Sequence, residues 1–288
     1  MAVGILLGSG GFFDQLRSGT AADRDAVLTE LFLLAQPEYG LEKEVLAGCL
    51  GLLESRKLSA SELAPQLSRI LDIWRSTYAR VRRRQDKARS IKWTSATGDH
   101  DDRELLRTAL ELFGHLSPEQ VLDALRDGMS LSDLRLKLAA VLSLLRLDQS
   151  VDVAAFESIA ASRETRIGLW RGLKELRLEV EMPPRWSTAS ELAESSLANW
   201  ISSSFEMGSI PEEMELMNVF PTDGDEGALD AYLFRSRHGR GTSGRRTTWF
   251  AGVAGPFYNG EELNSPWSAF DPWNSLSPEQ HFTKLFYR

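Results

Sequence analysis

The chain has 288 residues, 42% of them hydrophobic and 26% charged, with a net charge of −8. These are ordinary globular proportions, sufficient for one large or two smaller cores, and they exclude wholesale disorder. The acidic balance argues against general affinity for nucleic acid. The lone cysteine, Cys49, precludes an internal disulfide, and no apolar run approaches the ~20 residues that a bilayer-spanning helix needs.

The chain opens on an apolar run, Val3–Leu7, followed by Gly8-Ser9-Gly10-Gly11 and the start of a helical pattern. A strand, a glycine turn and a helix N-terminus together form the arrangement that cradles phosphate. This short opening resembles that of the nucleoside phosphorylases, but the alternation of strands and helices such a fold requires does not follow. Residues 1–20 are therefore read as a glycine-rich arm, with phosphate binding and membrane contact as alternatives. No basic stretch precedes the apolar run, as an export signal requires, and a cytoplasmic protein is expected.

From 21 to 181 the pattern is helix after helix. Asp23–Gln36 carries Val27, Leu28, Leu31, Phe32 and Leu34, and Pro37 closes it. Leu41–Arg56 is rich in Leu and interrupted by Gly48 and Gly51, whose cost in helix propensity points to close helix–helix approach. Ser59-x-x-Glu62 has the spacing of a capping box. It opens a long amphipathic helix with Ile70, Trp74, Tyr78 and Val81 on one face, and Pro65 falls in the first turn, where a missing N–H costs little.

That helix ends in an unusual composition. Between Arg75 and Lys92 lie eight basic residues and one acid, Asp86, a local +7 that leaves −15 for the remainder. Arg80, Arg82, Arg83 and Arg84 lie where the apolar stripe has ended. They are expected to form an exposed basic patch that meets an acidic protein surface. Nucleic acid, with Trp74, Tyr78 and Trp93 near to stack, is the less favoured partner. The competing reading is a solvated helix end whose positive charge suits the dipole.

Asp99-His100-Asp101-Asp102 follows in a polar stretch. His100-Asp101 resembles the central dipeptide of the helical HD phosphohydrolases. That family needs another metal-binding His upstream, and His100 is the first in this chain. The acids are better read as an N-cap ahead of the next helix.

Ser130–Leu147 carries two apolar stripes. One holds Leu131, Leu134, Leu138, Val141, Leu142 and Leu145, the other Leu136, Ala140, Leu144 and Leu147. A helix apolar on two sides is covered on two sides, so it is expected at the centre of a helical layer, with Leu138, Val141 and Leu142 deeply buried and Ser143 between the stripes. Segments 105–116, 118–128, 153–161 and 164–178 supply further helices. Helices of this length joined by short turns are similar to a HEAT- or armadillo-like α-solenoid, with an irregular helical bundle as the alternative.

Met182-Pro183-Pro184 marks the expected boundary between an α-helical domain, 21–181, and a small α+β C-terminal domain, 185–288. After a helix from Thr188 to about Phe205, segments 214–221, 228–237 and 246–258 are rich in aromatic and β-branched residues and are predicted as strands of an antiparallel sheet. The last two should pair, with Arg235, Arg237, Arg240, Arg245 and Arg246 crowding their connection. Those arginines read either as a basic finger or as charge that keeps a sheet edge soluble. Ser277-Pro278-Glu279-Gln280 opens a short terminal helix.

No catalytic constellation is legible. The nucleophile elbow G-x-S-x-G is absent, zinc-ligand spacing is absent, and Pro221–Gly227 is better read as a turn than as a Ca²⁺ loop. No cofactor or metal is expected. The fold class expected is mainly α, an irregular helical repeat or bundle followed by the α+β domain. The function expected is a protein-interaction module, whether adaptor, regulatory or toxin-neutralising. It would bind through a helical-repeat face and the basic patch, with Arg80, Arg82, Arg83, Arg84, Arg235, Arg237, Arg240 and Trp249 as candidate contacts. The alternative is a hydrolase or transferase with its site near Arg235, His238 and Trp249.

Overall fold

The computed structural model describes residues 19–35, 40–88, 97–203, 209–224, 227–237, 249–258, 261–262 and 270–287. The glycine-rich opening, Arg89–Trp93, His238 and Arg240 lie outside them. The chain parts into two compact units, Met1–Ala155 and Phe156–Arg288, so Met182-Pro183-Pro184 falls inside the second. The architecture is mainly helical, followed by a small antiparallel sheet with helices of its own. Among the described residues no helix is long and apolar enough to cross a membrane.

The first unit contains α1 (Ala21–Leu34), α2 (Glu42–Glu54), α3 (Ala60–Leu63), α4 (Leu67–Ala88), α5 (Thr97–Phe113), α6 (Pro118–Ser130) and α7 (Leu134–Arg146). Local chemistry sets their starts. The Thr20 hydroxyl accepts from Asp23 N–H and the Asp23 carboxylate accepts from Thr20 N–H. Ser59 and Glu62 form the same reciprocal box before α3, and those hydrogen bonds hold the Glu62 carboxyl below the usual carboxylate range. Pro65 sits in a 3-10 turn, Ala64–Gln66, between α3 and α4.

The hub is α5, which packs against α2, α4, α6 and α7. It buries Leu105, Leu106, Ala109, Leu110, Leu112 and Phe113 along one broad face. The helix with two apolar stripes, α7, packs mainly on α5 and α6. Within it Leu136, Ala139, Ala140, Val141, Ser143 and Leu144 are buried, whereas Leu138 and Leu142 are only half-buried. The expectation of deep burial for those two leucines is therefore corrected.

The physical reason is close approach. The Ser143 hydroxyl donates to the Leu110 carbonyl at 2.8 Å inside the core. A Cβ on Gly114 would lie 2.8 Å from Ser143 Oγ and 3.0 Å from Ser143 Cα, and one on Gly128 would lie 2.7 Å from Leu110 Cδ2. Small residues, Gly114, Gly128, Ala140 and Ser143, let the helices meet closely here beside the buried Leu136 and Leu144. The contacts of α5 run to its chain neighbours α4 and α6 and to the next long helix on either side, α2 and α7. His115, just past α5, has its Nε2 buried without a hydrogen-bond partner among the described residues. Burial, and secondarily the charge of Arg146, push its pKa down.

In the second unit, α8 (Val153–Ala161, which crosses the boundary) is followed by α9 (Arg166–Leu176) and α10 (Ala189–Ser203). Arg166 ties them together. Its side chain is 3% exposed. Its Nε donates to the Ala160 carbonyl at 2.9 Å and its Nη2 to the Ala161 carbonyl at 3.1 Å, satisfying the end of α8. Its Nη1 reaches the Glu194 carboxylate and the Glu191 carbonyl of α10, each at 2.9 Å. The Trp186 ring covers the guanidinium, with its centroid 4.6 Å away.

Strands β1 (Glu213–Gly224), β2 (Gly227–Arg237), β3 (Trp249–Tyr258) and β4 (Glu261–Glu262) lie in that order, all antiparallel, and β5 (Phe270–Pro272) also pairs with β3. The predicted pairing of the last two long strands is present, with Tyr232 opposite Ala254 and Arg237 opposite Trp249. Its register slips between Asp230 and Tyr232, where Gly255 takes φ +106°, a conformation other residues rarely adopt.

On one face, Ala193, Leu197 and Ile201 of α10 pack on Tyr232, Phe234 and Ala254. On the other, Phe282 and Leu285 of α11 (Pro278–Phe286) pack on Ala231, Leu233, Ala251 and Val253. Coverage on both faces is why β2 and β3 read as nearly continuous apolar runs rather than alternating ones.

Two outcomes follow from this packing. Arg166→Ala should cost about 3–5 kcal/mol in denaturant unfolding, because it leaves two helix-end carbonyls unpaired and takes from the half-buried Glu194 one of its two cations, Arg163 being the other. Arg166→Lys should recover little of that loss, since one ammonium cannot span the same acceptors; full recovery would contradict the fork geometry. For His115 the folded pKa lies below the unfolded value of about 6.5, so below that pH the unfolded chain binds more protons. Its contribution to stability should be complete above about pH 6.5 and lost as pH falls through the folded pKa. His115→Gln should remove that loss, read as the difference between the two proteins in unfolding series from pH 7 to 5.

Candidate protein-binding surface

Two of the four arginines of the basic run on α4 are engaged by a carboxylate of the chain itself, while Arg83 is exposed. Arg80 Nη2 and Arg84 Nη1 each donate to Asp102 at 2.8 Å, one to each carboxylate oxygen. Asp102 is 12% exposed. The hydrogen bond from Arg80 to Asp102 raises the arginine's pKa further. Arg82 Nη1 donates to the Ser130 carbonyl at the end of α6 at 3.4 Å, and Arg83 Nε to the Ala79 carbonyl of its own helix at 3.0 Å. Gln85 accepts from Ser132 N–H.

The reason is a helix start. Because α5 begins at Thr97, Asp101 and Asp102 stand within the helix rather than capping it. Arg80 and Arg84, four apart on α4, then face one carboxylate, while Asp101 meets Lys43 at 3.2 Å. One acid of the chain itself, Asp102, thus takes up two of the four arginines.

The second candidate cluster sits on the α11 side of the sheet. Glu213 opposes Arg237, which opposes Trp249; Glu215 opposes Arg235. Arg235 Nε donates to Glu215 at 2.7 Å, and Arg237 pairs with Glu213. Both guanidiniums approach the Trp249 ring, with centroid distances of 4.7 Å and 5.6 Å. Arg235, Arg237 and Trp249 are thus brought together, but each guanidinium already has a carboxylate and an aromatic face. Cross-strand pairs of this kind hold register, at about 0.2–1 kcal/mol each. Arg240 and His238 lie outside the described residues.

The surface that sequence reasoning missed is on β1. Strict alternation would put Leu216 and Val219, three apart, on opposite faces of the sheet. The register jumps between Leu216, opposite Phe234, and Asn218, opposite Leu233, leaving Met217 as an extra residue. Past this bulge Val219 opposes Tyr232. Leu216 and Val219 therefore share the α10 face, and both are open to solvent, at 44% and 37%. Among the described residues β1 pairs with β2 alone.

Its outer edge is nonetheless blunted. The bulge interrupts it, the Asn218 side chain accepts from Val219 N–H at 2.9 Å, and Pro221 has no N–H to offer. What β1 presents is a side-chain surface, not a template for another strand. Pro221 was the one visible hint, since proline within a sheet is confined to edges and bulges.

Among the described residues no group of His, Cys, Asp or Glu is arranged to hold a metal ion. Burial pushes the Cys49 thiol up to about 12, so it remains protonated at neutral pH. The chain matches no protein-family model, no curated protein and no solved structure.

The internal role of the basic run has a direct consequence. Asp102→Asn should destabilise the protein by about 1–3 kcal/mol, because two guanidiniums lose a shared carboxylate. Arg83→Ser should leave the denaturant midpoint nearly unchanged. The reverse order in chemical denaturation would contradict the assignment.

Proposed function

We propose that this chain is a protein-interaction module and that a partner protein is met by the α10 side of β1, through Leu216 and Val219. One observation supports the reading: two large apolar side chains stand together on one face of a rigid strand whose edge is blunted against pairing. A single exposed apolar residue is ordinary. Adjacent ones anchored on a sheet supply the kind of preformed contact from which docking surfaces are built.

The partner surface is then chiefly apolar. The motive for an acidic partner weakens, because Arg80 and Arg84 hold Asp102, and Arg235 and Arg237 hold Glu215 and Glu213. Adaptor, regulatory and toxin-neutralising roles all remain within this reading, in a cytoplasmic setting. The same occupied guanidiniums give no support to a hydrolase or transferase site beside Trp249.

The test uses the full-length tagged chain in its native host, with cross-linking and mass spectrometry of what it retains. L216D/V219D should lose the proteins that the wild type retains while keeping its melting temperature, since both side chains are solvent-facing. Retention by that variant, together with loss in R82S/R83S, would overturn the assignment and place binding on α4.

A further inference from the structure

We draw no further inference here: the strongest candidate, the apolar strip that Leu216 and Val219 leave on the edge strand of the sheet, belongs to the surface already described, and nothing in the structure shows which molecule covers it.

Discussion

A guanidinium taken out of water must find its hydrogen bonds within the protein, and the second unit is organised around one that does. Arg166 caps the carbonyls that α8 leaves unpaired and reaches α10 through Glu194 and the Glu191 carbonyl. Helix-end carbonyls carry partial negative charge, so one cation answers two kinds of demand at once. Arg163 adds a second tie, from Glu194 to the Pro211 and Glu212 carbonyls that lead into β1. With α10 held in this way, Leu197 comes down on β3 at Gly252, where a Cβ would lie 3.1 Å from Leu197 Cδ2. Its apolar face then covers Tyr232, Phe234 and Ala254 and leaves Leu216 and Val219 uncovered. The open strip on β1 follows from where α10 is anchored.

The same economy of charge runs through the first unit. The chain holds 41 acids against 33 basic side chains, and several of its arginines pair with one of those acids. Arg80 and Arg84 join α4 to α5 through Asp102, and Arg82 joins α4 to the end of α6. A run of arginines is a steering field only where its charge is left uncompensated. Here Arg80, Arg82 and Arg84 brace α4 against its neighbours, and Arg83 stays on the surface.

What was legible in the sequence was local. The capping boxes at Ser59 and Ser277, the helix start at Pro118 and the change of period after α10 depend on residues a few positions apart, and the structure has all of them. The apolar stripes of α7 were visible, but a stripe counts apolar residues without weighing their volume. The junction with α5 and α6 selected Ser143, Ala139 and Ala140 because backbones approach there, and Leu138 and Leu142 were left half-buried. Asp102 looked like a cap because the start of α5 could not be placed, and its arginine partners lie 18 and 22 positions away. The bulge at Met217 was invisible for a simpler reason. One extra residue in a strand changes no composition, yet it moves every following side chain to the other face.

The central claim is that this bulge sets Leu216 and Val219 side by side on an open face. Thiol labelling of single-cysteine variants tests it most directly, since the native Cys49 is buried and protonated. With Cys49→Ala as background, Leu216→Cys and Val219→Cys should each react rapidly with a maleimide in the folded protein. Rapid labelling at one position with protection at the other would mean strict alternation along β1 and would contradict the account.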